Sequence, residues 1–455
     1  MAYYDRLNSD AQGILDYVSE FRHDFHRHPE LSWCEFRTTA VLCRELVRLG
    51  FKVSWGKTLW GNLKPHNLPP AAQLEEAYLQ AEQTLGGSDP YLADMKGGYT
   101  GLVAQMSCSE GELHQAFRFD IDALPVAESG SSSHRPREAG FASCYDGKMH
   151  ACGHDGHMAT GLGLARLISE RRDEFKGRFT LFFQPAEEVA GGGIHFAKLP
   201  QLKSVQRFYS VHLGIVDRPV LVCDATWISG AVFDVLMKGR SAHAGNNPQF
   251  GQNALLAACQ AVTGLYGIAR HSDGVSRVNV GDMHSDNANN VISSEARFLF
   301  EVRGASNEIR KYMGQRAKEV IEGAATMQEV EAIISPSTLF ENHPNHPQLS
   351  HWIKEQAIGF GLHPDEVQDS YQVPASEDAT FMTRAVNEQH GQGCHLLFGC
   401  PVKGGHHNRE FDIPDNLLAW GSSFYFHLAK SYAVGSSKKP QAAVKTVLDE
   451  QRGLN

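Results

Sequence analysis

The sequence predicts an α/β fold: a mixed, helix-flanked sheet, interrupted by a smaller βαββαβ unit and then resumed. Three observations carry this. Apolar runs such as Arg178–Gln184 (RFTLFFQ), bounded by charge and proline, read as strands buried on both faces. Three strands in succession run out into chemistry-bearing residues, first Asp120 and Asp122, then Glu187 and Glu188, then His212. After Asp224 the element order becomes β-α-β-β-α-β, the ferredoxin-like split unit. A chain of 455 residues exceeds one compact core, so more than one domain is expected.

Taken in order, Asp10–His28 is a helix with Ile14, Val18, Phe21 and Phe25 on one face, stopped by Pro29. Thr38–Leu49 is a second helix, ended by Gly50, and Phe51–Trp55 is a short strand. Residues 61–100 read as an insertion, since so short a stretch buries too little apolar surface to fold alone. Its middle, Gln73–Leu85, is an amphipathic helix with Leu74, Tyr78, Ala81 and Leu85 inward. Strands follow at Leu102–Met106, Gln115–Ile121, Arg178–Gln184 and Arg207–His212, with a helix at Gly156–Ser169. Ligands of open α/β sheets bind beyond the carboxyl ends of strands, which puts the three polar clusters on one edge.

The smaller unit comprises strands at Val232–Lys238, Val275–Met283, Ala296–Arg303 and Val330–Ile334 and helices at Asn253–Ala269 and Asn307–Met327. The first of these helices is expected to turn Leu255, Cys259, Val262 and Tyr266 inward. A helix at Gln348–Phe360, a strand at His395–Phe398 and a helix at Asn416–Ser431 resume the first unit, before a polar tail, Val434–Asn455. The expected division is therefore 1–226 and 338–455 for one domain, with 227–337 inserted between them.

Composition excludes several classes of function. With 42% hydrophobic and 21% charged residues the chain is ordinary globular protein. A net charge of −10 without any basic block argues against nucleic acid. No apolar run is long enough to span a membrane, and the first residues show no secretory pattern. Nine cysteines without framework spacing fit reduced thiols in the cytoplasm.

The densest chemistry lies in Met149–His157, MHACGHDGH, which offers His150, Cys152, His154, Asp155 and His157. Thiolate with imidazole suits zinc, and a nearby carboxylate also admits manganese or cobalt. The same loop would serve equally as a polar cap on the following helix. Elsewhere stand the pair Glu187-Glu188, His212, the glycine-flanked His406-His407, and His243 in Ser241-Ala242-His243-Ala244-Gly245. Adjacent carboxylates are costly unless a cation neutralises them, and one of such a pair can serve as general base. An acid-rich helix start would also account for them. The combined set offers five ligands and a base, which exceeds one tetrahedral zinc and points to a dinuclear site.

MHACGHDGH, FRFDIDALP, FQPAEE, VHLG and HHNREFD resemble the co-catalytic metallopeptidase family of aminoacylases and carboxypeptidase G. The N-terminal RHDFHRHPELSWCEFRT is similar to its hippurate and indoleacetyl-amino-acid hydrolase branch. Within that branch the 61–100 insertion, SRVNVG, EVRGAS, IEGAATM and SEDAT are similar to members that act on p-aminobenzoyl-glutamate. The resemblance implies a metal-dependent amidohydrolase with two divalent ions, Mn2+ or Zn2+, on Cys152, His154, Glu188, His212 and His407. His407 is preferred to His406 because HHNREFD aligns with the family's LHNPRFD; Arg409 stands where the family has proline. Glu187 would be general base, and Asp122 would orient a ligand histidine. His243, from the lid unit, would reach across a dimer to the oxyanion, and Asn290 and Arg303 would bind a substrate carboxylate. Ser293, in NVIS, departs from the family's NVIP. The implied substrate is p-aminobenzoyl-glutamate or a related N-acyl amino acid; a general N-acyl-amino-acid hydrolase is the alternative. The implied assembly is a homodimer, or a heterodimer with a related B-type subunit on which activity depends. An inactive binding protein would have lost a ligand position, and none is lost.

Overall fold

Burial follows the period of each segment, and the resulting elements form two main sheets and a two-stranded one. The computed structural model describes residues 1–285 and 287–435; the rest of the tail expected over Val434–Asn455 lies outside the described residues. The larger sheet is built from β1 (Lys52–Trp55), β2 (Leu102–Ser107), β3 (Ser109–Asp120), β4 (Lys176–Gln184), β5 (Arg207–Leu213) and β6 (Val220–Val222). β7 (Ala225–Trp227) pairs outside this sheet, and β8 (Ser229–Lys238), β9 (Ser276–His284), β10 (Glu295–Gly304) and β11 (Glu331–Phe340) make the smaller one. β12 (Val367–Gln368), β13 (Tyr371–Val373) and β14 (Gln392–Gly399) complete the set.

The large sheet has the order β1-β2-β4-β3-β5-β14-β6-β12. Its centre, β4-β3-β5-β14, is parallel, while β1, β2 and β6 pair antiparallel, so the sheet is mixed as expected. Central strands are buried almost throughout, which is why they read as unbroken apolar runs. The helix His154–Glu170 crosses between β3 and β4 and packs with Ser9–Arg27 and Asp415–Gly435 over one face. A second apolar cluster receives the inserted segment. There the helix Ala71–Thr84 buries Leu74, Tyr78 and Ala81, and Tyr78 meets Phe36 edge-on with ring centroids 5.5 Å apart. Leu85 is half-buried. Burying Leu74 alone contributes about 1.5–3 kcal/mol, enough to hold a short segment that could not fold by itself.

The small sheet is antiparallel in the order β11-β8-β10-β9, the ferredoxin-like arrangement. On β10, Ala296, Phe298, Phe300 and Val302 face two helices, Ala254–Tyr266 and Asn307–Met327. Arg297, Leu299, Glu301 and Arg303 face the other way. One expectation is corrected here. Helix Ala254–Tyr266 buries Ala254, Ala257, Ala258, Ala261 and Leu265, while Leu255, Cys259 and Tyr266 are exposed. Small residues on both helices, with Ala317, Ala324 and Ala325 opposite, let the helices approach closely and leave the larger side chains outside. Among the described residues no helix is long and apolar enough to cross a membrane.

Candidate metal centre and active site

β3, β4 and β5 run parallel, so their carboxyl ends open on one edge and bring their polar termini together. The chain leaves β4 through Pro185 and Ala186, and Ala186 has φ +55°, a left-handed conformation that alanine rarely adopts. This kink turns Glu187 and Glu188 back toward the sheet edge. Asp122 fixes them there. Its Oδ1 accepts the Glu187 N–H at 3.1 Å, and its Oδ2 accepts the Glu188 N–H at 3.0 Å and the Ser32 hydroxyl at 2.7 Å. The Asp122 carbonyl also lies 2.8 Å from His154 Nδ1. That nitrogen donates, so the lone pair of Nε2 points into the site.

The central loop reaches the same place because Gly153, at φ +89°, starts the helix His154–Glu170 from a left-handed turn. Cys152 Sγ lies 3.4 Å from His212 Nε2, and His212 Nδ1 donates to the Leu213 carbonyl at 3.1 Å. From the late loop, His407 has φ +59°, and its Nε2 lies 3.5 Å from Glu188 Oε2. His406 instead donates Nε2–H to the Leu213 carbonyl at 3.0 Å.

The donor atoms fit divalent ions. Those of Cys152, His154 and His212 lie within 4.8 Å of one another, and so do those of Cys152, Glu188 and His407. Cys152 belongs to both sets, so five residues divide into two overlapping triads. His154 Nε2 and Glu188 Oε1 are buried without a hydrogen-bond partner among the described residues, at a separation of 3.8 Å. Orphaned buried atoms of this kind are costly unless something neutralises them. Neighbouring groups have partners of their own, although Glu377 Oε2 is also buried without a hydrogen-bond partner among the described residues. His157 is bonded through Nδ1 to Asp120 and through Nε2 to the Leu213 N–H. Glu377 and Asp378 are held by the Arg118 guanidinium at 3.0 and 2.9 Å.

The field in the site is negative. Burial pushes the Cys152 thiol well above its usual range, and Glu188 and Glu187 add to this. Burial opposes a charge on His154, yet Asp120 and Asp122 raise it to about 10. Burial raises Glu188 to about 7. Glu187 is raised well above the carboxylate range by burial, and the charges of Glu377 and Glu188 reinforce the shift. Such a pocket attracts cations and keeps a buried carboxyl poised to exchange a proton.

A cavity of about 360 Å³ opens over these groups, with Cys152, Glu187, Glu188, His212 and His407 on its floor. Trp227, Arg303, Phe340 and Glu377 contribute to its walls. Arg303 is thus brought to the site, its guanidinium bonded twice by Glu301 at 3.1 and 3.0 Å. His243 and Asn290 are not. They sit side by side on exposed loops of the small unit, where the Asn290 carbonyl accepts the Ala244 N–H. Sequence reasoning missed Arg118, Glu377 and Trp227 as parts of the site, and placed Asp120 at its strand end without a role. The acid pair Glu377-Asp378 ahead of an apolar stretch was the available signal. Asp378 also accepts the Gly193 N–H at 2.7 Å, where a Cβ on Gly193 would come within 2.2 Å of the Asp378 carbonyl.

A parallel-centred α/β sheet with an inserted antiparallel lid-like sheet, and two donor triads beside a buried carboxyl, define a metal-dependent hydrolase of amide bonds. The chain belongs to peptidase family M20/M25/M40, whose description matches residues 116–431. It is 37% identical to one of the subunits of p-aminobenzoyl-glutamate hydrolase from Escherichia coli, over 91% of this chain and 95% of that one. Indole-3-acetyl-aspartic acid hydrolase of Enterobacter agglomerans is equally similar, at 37% over the same shares. Among solved structures, the aminobenzoyl-glutamate utilization protein of Klebsiella pneumoniae superposes with TM-score 0.75 at 30% identity, covering 94% of this chain and 98% of that one. The YXEP protein of Bacillus subtilis, described as a dinuclear metal-binding peptidase, has the same fold with TM-score 0.66 at 24% identity, over 93% and 99% of the two chains.

Proposed function

We propose that the enzyme hydrolyses the amide joining an acyl or aroyl group to an acidic amino acid, with p-aminobenzoyl-glutamate the first-choice substrate. The observation that carries the chemistry is the pair of donor triads sharing Cys152, with Glu187 beside them on the cavity floor. The substrate class is supported by the two relatives at 37% identity, both named for amides of acidic amino acids. Arg303 on the cavity wall supports it too, since a guanidinium matches a carboxylate with two parallel hydrogen bonds.

Cys152, His154, Glu188, His212 and His407 would hold two divalent ions, manganese or zinc. Ions there would supply Lewis acidity, polarising the amide carbonyl and acidifying the attacking water. Glu187 takes the proton of that water and returns it to the departing amine. Asp122 keeps His154 in the tautomer that offers Nε2 and holds both glutamates by their backbone. Arg118 holds Glu377 and Asp378 beneath Glu187 and keeps that buried acid cluster together.

We read residues 227–337 as a lid on a catalytic domain formed by 1–226 and 338–455. In this reading His243 and Asn290 serve the site of a second chain, either an identical copy or a related B-type subunit. The exposed Leu255, Leu256 and Tyr266 face supports such an interface. Nine free thiols support a reducing, cytoplasmic location. The test is turnover of p-aminobenzoyl-glutamate, indoleacetyl-aspartate, hippurate and neutral N-acetyl amino acids by metal-reconstituted protein, alone and with a B-type partner. Faster cleavage of the neutral amides in both preparations would replace this reading with a general N-acyl-amino-acid hydrolase.

A further inference from the structure

The open face of the small sheet carries an arginine pair that the proposed chemistry leaves half-used. Arg303 on β10 stands in register with Arg277 on the edge strand β9, and Glu301 stands in register with Asn279 next to them. Val302 and Val278 pack into the helices on the other side, so Arg303 and Arg277 share the open face. Cβ atoms of directly opposed residues are about 4.5–5.5 Å apart, and like charges so placed repel.

Only one of the two cations has a carboxylate partner among the described residues. Glu301 binds the Nε and Nη2 of Arg303, which leaves further N–H donors of that guanidinium for the cavity. Arg277 is exposed and makes no ion pair among the described residues; its Nη1 donates to the Ser276 carbonyl at 3.0 Å. On the other flank of Arg303, β8 presents Gly230, whose missing side chain leaves room between Ser376, Arg303 and Phe340. Arg303 on the cavity wall is thus an oriented guanidinium with space on its β8 flank, and an uncompensated guanidinium, Arg277, adjoins it on the β9 flank.

We infer that Arg277 is a specificity residue that binds the side-chain carboxylate of the substrate's amino acid, next to an α-carboxylate held at Arg303. This rests on the acidic-amino-acid reading above and adds the residue that enforces it. A neutral amino acid in the same pose leaves Arg277 facing Arg303 unrelieved. The discrimination arises in binding, because no hydrogen bond or ion pair among the described residues joins Arg277 to the groups that handle protons.

The experiment compares steady-state kinetics of metal-reconstituted wild type, Arg277→Ala and Arg277→Lys on p-aminobenzoyl-glutamate and on its side-chain amide, p-aminobenzoyl-glutamine. Wild type should prefer the glutamate compound. Arg277→Ala should raise KM for that compound about ten- to a hundredfold, the worth of a charged hydrogen bond, with kcat and the glutamine kinetics little changed. Arg277→Lys should recover part of the loss. An arginine that merely guards a sheet edge would leave the glutamate-to-glutamine ratio of Arg277→Ala as in wild type, and that result overturns the inference. Equal losses on both compounds overturn it as well. Wild type without preference for the charged compound refutes the acidic-substrate reading itself, and is recognised before any variant is compared.

Discussion

Replacing Asp122 by asparagine removes the group that ties both glutamates to the ligand histidine. Its Oδ1 faces the Glu187 N–H and, at 3.3 Å, His154 Nδ1; its Oδ2 faces the Glu188 N–H and the Ser32 hydroxyl. An amide puts an NH2 in place of one oxygen. In either orientation it sets donor against donor at one backbone N–H and loses the negative charge at the other. Losing a hydrogen bond to a charged group costs about 1.5–3 kcal/mol, and the weakening of the second contact adds to that. That cost falls on the segment that aims Glu188, and so on metal affinity as well as folding. Competition titration of the apo protein against a chelator should show metal binding weakened about ten- to a hundredfold, the usual scale for groups that orient ligands. Urea unfolding of the apo protein should show a lower midpoint in parallel. Unchanged affinity and an unchanged midpoint in Asp122→Asn would refute the idea that this carboxylate organises the site.

Glu187→Gln should retain its metal but lose at least ~10²-fold in turnover, and near-normal turnover would remove Glu187 from the role of base. His243→Ala should lower the rate by roughly 10²–10³ at unchanged metal content, the scale for an oxyanion donor. Mixing it with Glu187→Gln chains should restore activity if the histidine acts on a second chain; a verified mixed dimer without recovery would argue against that geometry. His114 supplies a pH test away from the metals. Its ring is buried against Thr180, and burial, with Arg178 nearby, lowers it from 6.5 to about 4. A folded value below the unfolded one means that its contribution is complete above about 6.5, declines as pH falls through that interval, and is gone below about 4. The shift corresponds to about 3 kcal/mol. The urea-unfolding difference between wild type and His114→Gln should shrink by about that amount across the window, and a pH-independent difference would contradict the assignment.

What could be read from the sequence was what depends on neighbours along the chain. The helix Asn307–Met327 and the carboxyl-terminal groups of β3, β4 and β5 follow from period and from strand ends, and the structure has them as expected. The face of Ala254–Tyr266 did not, because hydropathy ranks Leu255 and Tyr266 above alanine, whereas close helix packing selects Ala257, Ala258 and Ala261. The helix Ala379–Glu388 went unread, as did the short strands β6, β7, β12 and β13, which are too brief to show a period. In the site, the residue types and motifs pointed to Cys152, His154, Glu188, His212 and His407, and the structure brings their donor atoms together. The clamp of Arg118 on Asp120, Glu377 and Asp378 was not, since its partners Arg118 and Asp378 are 260 positions apart and only the folded sheet brings them together.

The most direct test of the whole account is metal stoichiometry. Protein stripped with chelator, reconstituted with manganese or zinc under reducing conditions and freed of excess metal is assayed by elemental analysis. The two triads sharing Cys152 predict two ions per chain, with loss of metal in Cys152→Ala. A replete wild-type protein holding no transition metal, or Cys152→Ala retaining the full wild-type content, would contradict the site described here.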